Sequence, residues 1–129
     1  MHRTPEHQFQ HDHTIASLAS HYARRQCDVW TNPANDVSKE FSGLHPDVIV
    51  HDKKGYFLFE IETEESISEE EALSEWAEFD HAWKVWYLAV PAPKRNDAIN
   101  VVHSMGIEHC KVVTYQEHED GIPTFSGIP

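Results

Sequence analysis

Apolar residues recur along the chain with two different periods, which predict strands and helices in turn. Five short runs rich in β-branched and aromatic residues predict strands, at 27–32, 47–52, 56–63, 84–91 and 110–116. Three segments whose apolar residues recur every three or four positions predict helices, at 14–26, 68–83 and 93–105. The order α-β-β-β-α-β-α-β predicts an α/β fold, with a mixed central β-sheet, flanking helices and right-handed crossovers between parallel strands.

Capping signals at the predicted helix starts set the expected boundaries of the domain. Thr14 is a candidate N-cap of the first helix, and Ser68 with Glu71 forms a capping box for the second. These boundaries predict a flexible N-terminal arm, a single domain and an irregular C-terminal tail, at 1–13, 14–117 and 118–129. Within the arm, His11 and His13 could bind a transition metal, although two histidines on a flexible segment more often bind nothing.

Three carboxylates are expected to lie close together at one end of the sheet. The turn at 52–55 joins two strands into a hairpin, and counting back from it places Asp47 opposite about Glu60. Glu62 shares a strand face with Glu60 because side chains alternate along a strand. Each acid could instead be a solvated residue at a strand end. Together they repel unless a cation or a proton intervenes, and oxygen ligands suit Mg²⁺ or Mn²⁺, which can activate water for phosphodiester hydrolysis.

The stretch "HPDVIV", followed 13 residues after Asp47 by "FEIET", resembles the PD-(D/E)xK nuclease superfamily. The resemblance implies the restriction-endonuclease-like fold, which has the element order predicted above. It implies that Asp47 and Glu60 bind Mg²⁺ or Mn²⁺ together with the backbone carbonyl of Ile61. The catalytic set that it implies is Asp47, Glu60 and Glu62.

Glu62 occupies the position where the superfamily pattern has a lysine that positions or polarises the attacking water. A lysine from elsewhere could take that role, or a further acid or a histidine could assist; the candidates are Lys39, Lys53, Lys54, Glu40 and His45. Two function hypotheses follow. The first is a metal-dependent nuclease acting on DNA or RNA. The second is an inactive protein of the same fold that serves as a binding or accessory module for a protein partner. In either case the chain could also form a homodimer.

Charge narrows the choice of partners. The chain has 22 acidic and 10 basic residues and a net charge of −12, and ten of the acids lie within 60–80, where there is no Lys or Arg. Nucleic-acid binding usually depends on Lys and Arg that neutralise phosphates. The composition therefore argues against a basic protein that coats DNA, but it allows a local acidic site that a metal ion would neutralise.

Length and composition set the remaining expectations. A chain of 129 residues with 40% hydrophobic residues predicts one packed domain. No apolar run approaches the roughly 20 residues that span a bilayer, so no membrane association is expected. Cys27 and Cys110 are far apart, and with no secretory signal they are expected to be reduced thiols of a cytoplasmic protein. Trp76, Trp83 and Trp86 are expected in the core.

Overall fold

The helices and strands alternate much as the sequence predicts. The computed structural model describes residues 4–33, 38–68 and 70–129, apart from the side chains of residues 68, 71 and 72. The α-helices of this part of the chain are α1 (Pro5–Ala23), α2 (Glu70–Ala82) and α3 (Arg95–Ser104). Its strands are β1 (Asp28–Thr31), β2 (Val48–Asp52), β3 (Gly55–Ile61), β4 (Trp86–Pro91), β5 (Cys110–Gln116) and β6 (Thr124–Ser126).

The six strands form one mixed sheet in the order β1-β2-β3-β4-β5-β6. Strands β1, β2 and β3 are antiparallel neighbours, β3, β4 and β5 are parallel, and β6 is antiparallel to β5. The β2–β3 hairpin closes through Asp52, which pairs with Gly55 at a φ of 128°, a backbone conformation that glycine adopts without a steric penalty. The parallel pairs need long crossovers, which contain α2 and α3. The predicted mixed α/β architecture is thus confirmed.

One face of the sheet packs against α1. The helix buries Ile15, Leu18 and Tyr22, which recur at helical spacing. The strand residues that they pack with alternate along each strand: Val48, Val50, Phe59, Ile61, Tyr87, Ala89, Val113 and Tyr115. Among the described residues, this face holds one of two buried apolar clusters.

The opposite face packs against α2 and α3. These helices bury Trp76, Phe79, Trp83, Ala98 and Val102 against Ile49, Leu58, Trp86, Leu88 and Val90. The three tryptophans expected in the core are all at most 4% exposed. The strands are therefore covered on both faces, which is why their sequences are apolar at consecutive positions.

Helix α1 begins earlier than the sequence analysis predicts. Thr4 is its N-cap, with its hydroxyl oxygen accepting the His7 N–H at 3.2 Å, and Pro5 takes the first helical position. Thr14 is buried in the middle of the helix, where its hydroxyl donates to a backbone carbonyl one turn back. The predicted flexible arm is therefore wrong from Pro5 onwards, while residues 1–3 lie outside the described part of the chain.

The C-terminal segment also departs from the prediction of an irregular tail. Residues 124–126 form β6 beside β5, with Phe125 opposite Tyr115. The hydroxyl of Tyr22 on α1 donates to the Pro129 carbonyl at 2.6 Å. A strand of three residues between Gly and Pro is too short for a periodic pattern, so only pairing with β5 identifies it.

Other boundaries agree more closely with the sequence. Helix α2 begins at Glu70, while the capping box proposed for Ser68 and Glu71 falls on side chains outside the described set. Cys27 and Cys110 are both free thiols. Burial raises the pKa of Cys110 to about 12, so this thiol is protonated at neutral pH. In the segments that the structure describes, no helix has both the length and the apolarity to cross a membrane.

Candidate active site

Asp47 and Glu60 meet at the open end of the β2–β3 hairpin. Val48 pairs with Phe59, so the next pair outward joins Asp47 to Glu60, as the count from the turn predicts. The Asp47 N–H donates to Glu60 Oε1 at 3.0 Å. Both side chains are buried, at 8% and 5% exposure. The predicted pairing of these two acids is therefore confirmed.

The Asp47 carboxylate has two hydrogen-bond partners. Its Oδ2 atom accepts the Ile61 N–H at 2.7 Å and lies 3.1 Å from His11 Nε2. These contacts tie the start of β2 to the end of β3 and to α1. Among the described residues, no hydrogen bond reaches Asp47 Oδ1 or Glu60 Oε2, which are the oxygens left for another ligand.

His11 is a site residue that the sequence analysis assigns to a flexible arm. It is 3% exposed, with Nε2 facing Asp47 and Nδ1 3.1 Å from Asp12 Oδ1. Each ring nitrogen is thus within hydrogen-bond distance of a carboxylate, and which of them donates depends on the tautomer. The signal for this position was its spacing, because His11 lies four residues before Ile15 and seven before Leu18 in the buried stripe of α1.

Glu60 lies where a negative charge is unfavourable. Burial raises its pKa well above the ordinary value of 4.5, and the carboxylates of Asp47, Glu62 and Glu75 raise it further. The hydrogen bond from the Asp47 N–H acts in the opposite direction. Folding therefore favours the protonated form of Glu60, and a bound cation would oppose this shift in pKa.

Glu62 has different surroundings from Glu60, although both lie on the same face of the sheet. It is 1% exposed, its Oε2 accepts from Trp76 Nε1 at 3.1 Å, and its Oε1 accepts from the Ser66 hydroxyl at 3.2 Å. Its backbone carbonyl accepts the Tyr115 hydroxyl at 2.7 Å. Both side-chain oxygens are thus engaged in holding β3 to α2 and to the turn at 66–68. This arrangement favours a bracing role for Glu62 over the orientation of water.

The other side chains that could assist the two acids lie in three different places. Lys53 and Lys54 form its closed end, far from Asp47, as the sequence predicts. His45 is exposed and is separated from Asp47 only by Pro46. Glu40 and Lys39 line a separate cavity beside β1.

Lys39 is nonetheless linked to the site through its backbone. The buried Asn32 side chain accepts the Lys39 N–H at 2.8 Å and donates to the carbonyls of Lys39 and Pro46, both at 2.7 Å. The Asn32 N–H donates to the Asp47 carbonyl at 3.0 Å. One asparagine therefore fixes the segment that contains Lys39 beside the start of β2.

The oxygen atoms of Asp47, Glu60 and the Ile61 carbonyl suit a hard divalent cation, but they do not form a complete coordination shell. Carboxylate and carbonyl oxygens are the ligands that Mg²⁺ and Mn²⁺ prefer. In the described parts of the chain, no group of three or more His, Cys, Asp or Glu side chains is placed to hold a metal ion. The expected ligands are only two side chains and the Ile61 carbonyl, and one oxygen of each carboxylate already accepts a backbone N–H. Binding would therefore use the remaining oxygens.

No family model, curated protein or solved structure matches the chain. Functional inference therefore depends on the chain's own geometry.

Proposed function

We propose that the protein is a Mg²⁺- or Mn²⁺-dependent nuclease of the PD-(D/E)xK type that hydrolyses phosphodiesters in DNA or RNA. The observation that carries the proposal is the pairing of two buried carboxylates, Asp47 and Glu60, at one end of a hairpin. The element order is compatible with a restriction-endonuclease-like topology, in which such a pair ends the central hairpin. We also propose that the protein acts in the cytoplasm, where free thiols stay reduced.

In this proposal Asp47, Glu60 and the Ile61 carbonyl hold the divalent ion. The ion would polarise the phosphate and make bound water more acidic. His11 holds Asp47 in place through Oδ2, and the Ile61 N–H does the same from β3. Glu62 braces the end of β3 against α2. Asn32 ties the backbone of Lys39 to the site. We propose that the Lys39 side chain takes the role of the missing lysine.

The first test is the thermal melting of wild type, Asp47→Ala and Glu60→Ala, with and without Mn²⁺. We expect Mn²⁺ to raise the melting temperature of the wild type, since a ligand that binds only the folded state stabilises it. In neither variant should Mn²⁺ raise the melting temperature beyond the effect of NaCl at the same ionic strength. NaCl at matched ionic strength controls for screening of the net charge of −12, and Glu64→Ala removes an exposed acid nearby. A wild type that Mn²⁺ stabilises no more than NaCl does would contradict metal binding.

A positive result would be followed by a cleavage assay on plasmid, single-stranded DNA and RNA. The expected outcome is cleavage by the wild type with Mn²⁺ or Mg²⁺ and none by Asp47→Ala. Metal binding without cleavage of any of these substrates would separate the ion site from the proposed reaction.

A second candidate is a non-catalytic module of the same fold. The surroundings of Glu62 favour this second candidate. Glu62 stands in the lysine position, and both of its carboxylate oxygens accept hydrogen bonds, from Trp76 and from Ser66. Such a residue supports the structure and does not take part in catalysis. The acidic segment 60–80 would then suit a basic protein partner. This candidate predicts no response to metal in the wild type or in Glu60→Ala, and the variant should lose only the hydrogen bond from the Asp47 N–H.

A further inference from the structure

A cavity of about 260 Å³ opens at the β1 edge of the sheet. Its walls include three aromatic side chains, Trp30, Phe41 and Tyr56, together with Ile49. Lys39 and Glu40 also line it, which adds one charge of each sign. The cavity is thus largely aromatic and small enough for a single ring system.

The aromatic walls are held in place yet open to solvent. Tyr56 packs on Phe41 with ring centroids 5.0 Å apart and on His51 with centroids 4.4 Å apart. Even so, Tyr56 is 51% exposed and Trp30 is 37% exposed. Aromatic surface fixed by its neighbours and still exposed can stack on a ligand at little entropic cost.

The cavity lies on the same sheet face as the paired carboxylates. Trp30 pairs with Ile49 of β2, and Asp47 is two residues before Ile49, directly before β2 begins. Two strand residues span about 7 Å. The hydrogen bonds of Asn32 to Lys39 and Pro46 hold the rim of the cavity at the start of the same strand. A ligand in the cavity would therefore lie beside the proposed reaction centre.

We propose that this cavity binds one unpaired nucleobase of the substrate, so that the substrate class is single-stranded nucleic acid. The proposal rests on the nuclease function and names its substrate. Trp30 and Tyr56 are the exposed rings of the cavity wall, and an aromatic ring can stack with any base. Lys39 complements the adjacent phosphate, and Glu40 can accept a hydrogen bond from an exocyclic amino group such as that of cytosine. A base inside a duplex is stacked on both sides and would have to leave the helix to enter.

The test measures binding with a chelator present, so that cleavage cannot interfere. The probes are short oligomers of deoxycytidine and of cytidine, and a duplex that contains the same deoxycytidine strand. We expect the wild type to bind a single strand more tightly than the duplex. Trp30→Ala and Tyr56→Ala should each weaken single-strand binding about 10-fold, the usual effect of losing one stacking partner. The DNA and RNA oligomers show which sugar the substrate carries.

Control variants separate stacking from general damage. Trp30→Phe keeps a ring and should retain most of the affinity. Phe9→Ala removes an aromatic side chain that is 72% exposed on α1 and should have no effect. Melting temperatures of all variants would confirm folding, and both mutated aromatics are exposed enough that truncation should leave the core intact.

The outcomes separate this inference from the nuclease proposal. Equal affinity for single strand and duplex, no binding by the wild type, or unchanged binding by folded Trp30→Ala and Tyr56→Ala would overturn the inference. Absence of a metal response combined with Trp30-dependent binding would overturn the nuclease proposal and leave a single-strand-binding protein.

Discussion

Glu60 and Glu62 lie two residues apart and are both buried, yet their carboxylates have different partners. Glu60 accepts one backbone N–H, and burial together with the nearby Asp47 carboxylate raises its pKa. Glu62 accepts hydrogen bonds from Trp76 and Ser66. Two glutamates at the end of β3 thus differ in role, as a candidate ligand and a brace, because different groups surround them.

The bracing role of Glu62 predicts a large loss of stability in Glu62→Ala. The substitution leaves the buried Trp76 N–H and the Ser66 hydroxyl without this acceptor, and we expect the free energy of unfolding to fall by roughly 2–4 kcal/mol. Urea unfolding of the variant and of Glu64→Ala would measure this. Because Glu64 is exposed, its change should stay within about 0.5 kcal/mol. Equal effects in the two variants would show that Glu62 does not act as a brace.

Among the secondary-structure elements, helix α1 differs most from its prediction, because it begins at Pro5 and not at residue 14. Its first turns carry His11 to Asp47, so the helix contributes to the candidate site as well as to the core. Thr4 and Pro5 are a standard helix start, but the polar residues that follow them conceal it. Only His11 of residues 5–13 is buried, so the hydrophobic pattern becomes visible only from Ile15 onwards.

The early start of α1 predicts that Thr4→Ala is destabilising. The substitution removes the oxygen that caps the His7 N–H, at a cost of about 1 kcal/mol. Thr4→Ser keeps a capping hydroxyl and should remain close to the wild type. Chemical unfolding and helical circular dichroism of both variants would test the helix start, and identical stabilities would instead favour a frayed arm.

Asp80 joins the end of α2 to the segment before β5 and predicts a specific dependence on pH. Burial alone raises the pKa of Asp80, but hydrogen bonds from Glu108 N–H, His109 N–H and Trp86 Nε1 lower it below 3.8 overall. The ionised form is therefore favoured by folding. Its contribution is present above pH 3.8 and is lost as the pH falls through the folded-state pKa.

Asp80→Asn should accordingly destabilise the protein at neutral pH by about 1 kcal/mol, a value reduced for the partial exposure of this group. The difference from wild type should shrink as the pH is lowered below about 4. Urea unfolding at several pH values would measure it. A difference that grows toward acid pH would contradict the assigned sign.

For the whole molecule, charge is distributed unevenly. Ten of the 22 acids lie within residues 60–80, which include the end of β3 and most of α2. A net charge of −12 opposes the compact state through self-repulsion. The candidate site lies at the start of this segment. A bound cation would therefore be attracted by the other acids of the segment as well as by its own ligands.

This imbalance predicts that NaCl stabilises the protein. Raising NaCl to about 0.5 M shortens the screening length and should raise the free energy of unfolding by on the order of 1 kcal/mol. Glu78→Lys, on the exposed side of α2, changes the net charge from −12 to −10 and should reduce the response. Stability that stays constant or falls with NaCl would contradict a repulsive contribution. Thermal melting across a salt series would supply the data.

The sequence was sufficient for the local parts of the candidate site. The hairpin, its turn and the pairing of Asp47 with Glu60 all follow from period-two alternation and a short loop, in which register is counted from neighbouring residues. His11, Asn32 and Trp76 could not be assigned in this way. Each contacts a residue more than a dozen positions away, and no local spacing encodes such a contact.

By itself, the sequence determined the element types, their order, the mixed α/β class and the register of the central hairpin. Those properties depend on side-chain alternation, helical spacing and turn chemistry within a few residues. Only the tertiary structure decided where α1 begins, that residues 124–126 form a strand, and which groups surround Glu60 and Glu62. These features depend on pairing and burial between distant segments, whose free energies appear only when the segments meet in the fold.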